Sequence, residues 1–173
     1  MTNGFLLIDK EPGASSSRVV QAVKKKFKFK KVGHLGTLDP MATGLLILAI
    51  NRGTKFSSLL LESSKTYAAE VTLGIQTDTD DAEGEHILSK VITCSDEEAR
   101  KKLLSFLGSS MQQPPIYSAL KVQGKPMYKY AREGVKVEKA PRAIEIKTIE
   151  NISINLPKIS FEVSCSKGTY IRS

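Results

Sequence analysis

The spacing of apolar residues in the first third of the chain predicts strands and helices around one irregular segment. An apolar run at 4–10 (GFLLIDK) stops at a Glu-Pro-Gly turn and is typical of a strand. Serines at 15–17 precede a segment, 18–27, whose valines recur at helical spacing, so we expect a capped helix there. The glycine-rich segment 33–44 is predicted to be a loop, and 44–50 (GLLILAI) is predicted to be a buried strand.

The remainder of the chain mixes alternating segments with two marked helix starts. A capping box at Ser95–Glu98 predicts a helix that Gly108 ends, and Pro126 predicts the first turn of a helix that Gly134 ends. Local pattern predicts further elements: a helix at 54–63, strands at 65–77, 143–154 and 158–166, an acidic turn at 77–85, and a strand beginning at 168. The expected fold class is α+β, with a mixed, largely antiparallel sheet flanked by helices.

The charge balance changes this picture by indicating the kind of partner. The chain has 173 residues, and 26 Lys and Arg oppose 18 Asp and Glu, a net charge of +8. Such a surplus favours a polyanion, because Lys and Arg neutralise phosphates and release counterions. A basic protein without such a partner fits the charge equally well.

The positive charge is concentrated in the segment KKKFKFKK, residues 24–31, which holds six lysines interleaved with Phe27 and Phe29. This pattern suits RNA, since amines meet phosphates and aromatic rings stack on bases. It also suits a helix end whose phenylalanines face the core, and for the two rings we prefer that interpretation.

Several classes of protein are not favoured. No apolar run approaches the length of a membrane span, and the first residues do not resemble a secretory signal. Cys94 and Cys165 form no CxxC pair and are expected to be reduced thiols of a cytosolic protein. His34 and His86 lack neighbouring Cys or His, so no metal site is expected, and neither a phosphate-binding glycine loop nor a GxSxG motif occurs.

One carboxylate stands out in the loop GHLGTLDPMATG, residues 33–44. Asp39 is surrounded by glycines, small polar residues and a proline. Because Asp-Pro is common in turns, composition alone favours a turn or helix cap over a positioned nucleophile.

Five segments of the chain together resemble the bacterial tRNA pseudouridine synthases of the TruB type. They are NGFLLIDKEPGASS, GHLGTLDPMATG, KTYAAEVTLGIQTDTDDAEG, QQPPIYSALKVQGKPMYKYAREG and CSKGTYIRS, in the order of that family. The resemblance covers residues 3–173. It implies an isomerase that acts on uridine 55 in the T-loop of tRNA, breaking its C–N glycosidic bond and forming a C–C bond without a cofactor.

The resemblance also implies roles for individual residues. Asp39 matches the nucleophile, which splits one hard step into two easier ones by covalent catalysis. Arg172 matches a cation that forms a salt bridge with this carboxylate, Tyr67 matches a tyrosine that stacks on the target base, and Tyr170 matches a position against the uracil. Core packing is the alternative for both tyrosines, and a surface position is the alternative for Arg172.

Other residues match positions that contact RNA. His34 matches a residue that fills the space left when uridine 55 is extruded, although a structural histidine is the alternative. Gly36 and Thr37 are expected to let RNA approach the loop backbone. Lys10 lies in a turn that the family uses at the RNA, here with Glu11 in place of the usual proline, and Asp81 matches an acid that is structural or orients RNA.

The resemblance sets the expected organisation as well. Residues 1–173 are expected to form a pseudouridine synthase catalytic domain that lacks its C-terminal part and any C-terminal RNA-binding domain. We expect a cytoplasmic monomer whose partner is the T-arm of tRNA, with no membrane, cofactor or metal. The alternative function is a non-catalytic RNA-binding or tRNA-folding module.

Overall fold

The computed structural model describes residues 2–173, and these form two compact units that divide between Ser63 and Ser64. The first unit is a three-stranded antiparallel sheet with one long helix. Its elements in chain order are β1 (Gly4–Lys10), α1 (Ser16–Phe27), β2 (Val32–His34), β3 (Gly44–Ile50), a 3-10 helix (Asn51–Phe56) and α2 (Ser57–Leu61). The strand order is β1-β3-β2, so the most buried strand is central.

The valines of α1 and the apolar residues of β3 form the core of this unit. Val20 and Val23 pack on Leu46, Leu48 and Ile50, all of them buried. The helix begins where predicted, because the Ser15 side chain accepts a hydrogen bond from the Arg18 N–H. Lys28 ends it in the left-handed conformation, with φ of 54°.

The second unit is built on a four-stranded antiparallel sheet of order β4-β11-β10-β7. Its elements in chain order are β4 (Lys65–Thr72), β5 (Ile75–Thr77), β6 (His86–Ser89), α3 (Asp96–Leu104), β7 (Gly108–Gln112), β8 (Lys121–Val122), β9 (Lys125–Pro126), α4 (Met127–Arg132), β10 (Arg142–Asn155) and β11 (Lys158–Cys165). The pairs β5–β6 and β8–β9 form two small hairpin sheets.

The long β10–β11 pair supplies the core of the second unit. Ile144, Ile146 and Ile149 of β10 are buried beside Val163 and Cys165 of β11. Burial also raises the pKa of the Cys165 thiol, so the cysteine behaves as a small apolar residue. This arrangement confirms the predicted α+β class and the antiparallel pairing of the last two long strands.

Three sequence predictions need correction. The segment after β11 is not a strand: residues 167–168 and 171–172 are turns, because side chains rather than a neighbouring strand bind its backbone. The 65–77 strand is interrupted by a turn at Gly74, whose φ is 81°. Phe27 is 52% exposed rather than in the core, whereas Phe29 does pack against the core.

Two features are absent from residues 2–173. No helix among them has both the length and the apolar character that crossing a bilayer requires. Within the same residues, no group of three His, Cys, Asp or Glu is placed to hold a metal ion.

Candidate active site

Asp39 lies in the loop that connects β2 to β3, and its side chain is half-buried. Its own carbonyl accepts a hydrogen bond from the Ala42 N–H at 3.1 Å, which closes a turn over residues 39–42. The loop entry is held by a bond of 2.8 Å from the Leu35 N–H to the Ile47 carbonyl of β3. The loop therefore has a defined course at both ends.

The residue before Asp39 is held by Ser16, in the first turn of α1. The Ser16 hydroxyl accepts from the Leu38 N–H at 3.0 Å and donates to the Leu38 carbonyl at 2.9 Å. The Ser16 residue is 2% exposed, so both bonds are shielded from water. A hydroxyl can make this pair of contacts because it both donates and accepts.

The residue after Asp39 is held by Lys10, at the end of β1. The Lys10 ammonium donates to the carbonyls of Glu11, Ala14 and Pro40 at 3.0, 2.9 and 3.0 Å. Lys10 is 1% exposed, and its three donors are all used. This placement does not support the RNA contact predicted for Lys10, because the charge points into the chain.

The turn between β1 and α1 adds a further bond to the same loop. The Gly13 N–H donates to the Pro40 carbonyl at 2.9 Å, and Gly13 adopts φ of 82°, which favours glycine. Residues 38 and 40 are thus fixed by groups from one short stretch of sequence, 10–16. The effect is to hold the backbone of Asp39 from both sides.

Three residues with predicted RNA contacts lie on the same loop or beside it. His34 is half-buried in β2, and its Nδ1 lies 2.8 Å from the Gly36 carbonyl, which assigns the hydrogen to Nδ1 because a carbonyl only accepts. Gly36 has open space around it, since an added Cβ would meet nothing within 4 Å. Thr37 is exposed.

Arg172 and Asp81 form a shielded ion pair in the second unit. Arg172 Nη1 lies 3.1 Å from Asp81 Oδ2, and the two side chains are only 13% and 12% exposed. Arg172 Nη2 also donates to the Tyr117 carbonyl at 2.8 Å. Charge-assisted hydrogen bonds of this kind are stronger than neutral ones, so the guanidinium is held in place.

The acidic turn between β5 and β6 orients Asp81. Its Oδ1 accepts from the Thr79 hydroxyl at 2.7 Å and from the Glu83 N–H at 3.1 Å. The adjacent Asp80 has a raised pKa, first because burial disfavours its charge, while Arg172 opposes this shift and the neighbouring Asp81 and Asp78 add to it. Arg172 is therefore the ion-pair partner of Asp81 and also favours the charged form of Asp80.

Tyr170 is fixed by Gln112 and Arg142, neither of which is a predicted site residue. The Gln112 amide donates to the Tyr170 carbonyl at 2.8 Å and accepts from the Tyr170 N–H at 2.9 Å. The Arg142 guanidinium lies 4.9 Å from the Tyr170 ring centroid, a cation–π contact, and also donates to the Gly168 carbonyl. A signal for Gln112 was its place in one of the family-like segments, QQPPIYSALK.

Tyr67 lies in β4, directly across from Val163 of β11. It is half-buried and packs against the core of the second unit, so packing accounts for part of its surface.

Among the predicted site residues, the structure brings Arg172 and Asp81 into contact and places Tyr170 two residues from Arg172 in the chain. Asp39 and Arg172 belong to different units, and their pairing stays a prediction.

Residues 24–171 match the family described as TruB family pseudouridylate synthase (N terminal domain), and the chain belongs to this family. It is 50% identical over 171 residues to tRNA pseudouridine synthase B of Alkaliphilus oremlandii and 46% identical over 171 residues to that of Burkholderia pseudomallei. These alignments cover 99% of this chain but 57% of each relative, so the chain spans little more than half of their length.

Solved structures agree with the sequence matches. The chain superposes on one from a Cbf5-Nop10-Gar1 complex with a TM-score of 0.71 and 28% identity, covering 98% of this chain and 41% of the other. A chain from an H/ACA ribonucleoprotein bound to a substrate RNA containing 2'-deoxyuridine gives a TM-score of 0.68 and 25% identity, covering 98% and 40%. The predicted pseudouridine synthase fold is confirmed.

Proposed function

We propose that this chain is the N-terminal part of the catalytic domain of a tRNA pseudouridine synthase that isomerises uridine 55 in the T-arm of tRNA. The observation that carries the proposal is the immobilised loop around Asp39, in a chain about half identical to a protein named for that activity. An isomerase with a covalent intermediate needs a carboxylate whose position is set before the substrate arrives, because precise placement lowers the barrier.

Each proposed role fits the local chemistry of its residue. Asp39 supplies the nucleophile. Arg172, with a charge already oriented by Asp81, supplies the cation that keeps a carboxylate ionised near the RNA. Tyr67 and Tyr170 contact the target base, and Tyr170 suits this role because its backbone and ring are both held in place.

The target uridine lies within a folded arm of tRNA and must leave its stack before reaction. Unstacking costs a few kcal/mol, which a protein group inserted into the gap offsets. His34 fits this role, with its ring orientation fixed by Gly36 on a loop that has open space beside it. We propose that the protein works in the cytoplasm as a monomer with tRNA as its partner.

The test is nucleoside analysis of a T-arm hairpin RNA after incubation with the chain. The unchanged chain should form pseudouridine, and Asp39→Asn, which keeps the shape and loses the charge, should slow formation by at least about a thousandfold. Asp9→Asn is the matched control, since Asp9 is an exposed carboxylate of the same unit, and it should leave the rate unchanged.

RNA binding measured in parallel separates the outcomes. Full activity of Asp39→Asn would show that the nucleophile is another residue. RNA binding without product from any variant would instead favour a binding module.

A further inference from the structure

We propose that the end of α1 and the residues after it form a second RNA-contacting surface, which binds backbone phosphates and stacks one unpaired base. This surface, the basic–aromatic patch, consists of residues 24–31. The proposal rests on the proposed function only in taking RNA as the ligand. None of its residues belongs to the candidate active site.

The patch contains an exposed aromatic ring, Phe27, that stacks on a second ring packed against the core. The Phe27 and Phe29 rings stack with centroids 5.6 Å apart and an angle of 20° between their planes. Phe29 packs against the core of the first unit, whereas Phe27 is 52% exposed. Phe27 therefore exposes apolar surface to water while the contact with Phe29 fixes its orientation. An exposed and oriented aromatic ring is the kind of group on which single-stranded bases stack.

Positive charge surrounds these two rings. The six lysines of the patch are all exposed, and Lys26 Nζ lies 5.7 Å from the Phe27 ring centroid. Lysines in the last turn also favour the helix C-terminus, which explains some of them without a ligand. It does not explain Lys30 and Lys31, which follow the helix.

The groove beside the two rings is apolar and is lined by Phe5 and Leu6 of β1 and Ile50 of β3. Its occupant follows from charge. Residues 24–31 hold no acidic group, so a second copy of the chain docking there through the same patch would bring like charges together, and the net charge of +8 opposes association of two copies in general. A single-stranded nucleic acid fits both features, because its phosphates pair with the lysines and an unpaired base stacks on Phe27.

The patch and the Asp39 loop lie at opposite ends of the same sheet. Gly4 pairs with Ile50 at the patch end, and Lys10 pairs with Gly44 at the loop end. Seven residues of strand separate the two ends by roughly 20 Å. One RNA molecule with its reacting nucleotide at Asp39 can therefore reach the patch with a flanking segment.

The test compares matched pairs of variants in the whole chain. Lys24→Gln/Lys25→Gln removes two charges from the last turn of α1, and Lys101→Gln/Lys102→Gln removes two from the last turn of α3. Phe27→Leu is matched by Phe106→Leu, because Phe106 is 56% exposed and also lies near a lysine. Binding is measured for a T-arm hairpin that is blunt and for one with a short unpaired 3′ extension.

We expect the α1 lysine pair to weaken binding of both RNAs and to reduce the slope of log Kd against log salt by about 1 to 2. Phe27→Leu should weaken binding of the extended RNA roughly tenfold and leave the blunt RNA unaffected. The α3 variants should change neither affinity by more than about twofold.

Equal losses for the α1 and α3 variants would overturn the proposal, because charge at any position would then suffice. So would a Phe27→Leu variant that binds both RNAs like the unchanged chain. Failure of residues 1–173 to form pseudouridine would leave this surface intact, because the surface is judged by binding alone.

Discussion

The side-chain amide of Gln112 acts as a strand partner for a segment that has none. The amide oxygen accepts from the Tyr170 N–H, and the amide nitrogen donates to the Tyr170 carbonyl. The same nitrogen also donates to the Ser173 carbonyl at 2.7 Å. A primary amide carries a donor and an acceptor on separate atoms, so it can serve both backbone partners at once. The position of Tyr170, and of Arg172 two residues later, depends on it.

Replacing this amide by a carboxylate should therefore impair catalysis more than RNA binding. Gln112→Glu keeps the acceptor for the Tyr170 N–H but places negative charge against two carbonyls, which costs about 1 to 3 kcal/mol. We expect the rate of pseudouridine formation at saturating RNA to fall about tenfold to a hundredfold. Binding of the T-arm hairpin should change by less than about threefold.

The neighbouring glutamine provides the control for this prediction. Gln113 donates to the Lys139 carbonyl, so Gln113→Glu makes the same chemical change outside the Tyr170 segment. Equal loss of activity in both variants would show that Gln112 has no special role in positioning Tyr170.

At the scale of residues, the sequence suggests candidate chemical groups more readily than the groups that hold them. Asp39 could be proposed as the nucleophile because its motif is local and specific. Ser16 and Gln112 could not be selected as supporting residues, because their partners lie 22 and 58 residues away and meet them only after the sheets form. Lys10 was assigned to the RNA because its turn matches one that the family uses there, and only the fold reveals its three carbonyl partners.

Among the elements, α3 shows what local sequence can determine. Ser95 accepts from the Glu98 N–H at 3.3 Å, and the Glu98 carboxylate accepts from the Ser95 N–H at 2.8 Å. Both bonds join residues three apart, so the capping box could be predicted without knowledge of the fold. The segment after β11 could not, since its alternating pattern indicates a strand while Gln112 supplies its partners.

The capping box also makes a prediction about pH. Hydrogen bonds from the Ser95 backbone and then its side chain lower the pKa of Glu98. A lowered pKa in the folded state gives stability that is present above the ordinary value of 4.5 and is lost as the pH falls through the folded value.

Ser95→Ala should lower the free energy of unfolding by about 1 kcal/mol at neutral pH. Thermal unfolding at several pH values should show this loss shrinking at acidic pH, where Glu98 becomes protonated. Ser95→Thr, which keeps a hydroxyl that can both accept from the Glu98 N–H and donate to its carboxylate, should retain most of the stability at neutral pH. A loss for Ser95→Ala that stayed constant with pH would contradict the link to Glu98.

At the scale of the molecule, positive charge is distributed unevenly. Residues 1–63 hold ten Lys and Arg against four Asp and Glu, a surplus of six, whereas residues 64–173 hold sixteen against fourteen, a surplus of two. The unit that contains the Asp39 loop thus carries most of the positive surplus that would attract phosphates. The total charge was available from the sequence, but its division needed the boundary between the units.

RNA binding by the whole chain should accordingly depend strongly on salt. We expect the affinity for a T-arm hairpin to fall at least tenfold between about 50 and 200 mM monovalent salt, because phosphate contacts release counterions. Fluorescence anisotropy across a salt series would measure it. Asp39→Asn should give the same slope, since it removes no cation, and an affinity that did not change with salt would contradict the prediction.

Salt should have a different effect on the loop itself. The carbonyls of Glu11, Ala14 and Pro40 converge on one point, and the cation that they bind is part of the chain. The Lys10 ammonium occupies that position with 1% exposure, where dissolved ions screen its contacts much less than those of an exposed lysine. The molecule therefore separates two electrostatic tasks: its outer lysines respond to the ionic strength of the surroundings, whereas the buried Lys10 ammonium next to the Pro40 carbonyl keeps the Asp39 loop largely independent of it.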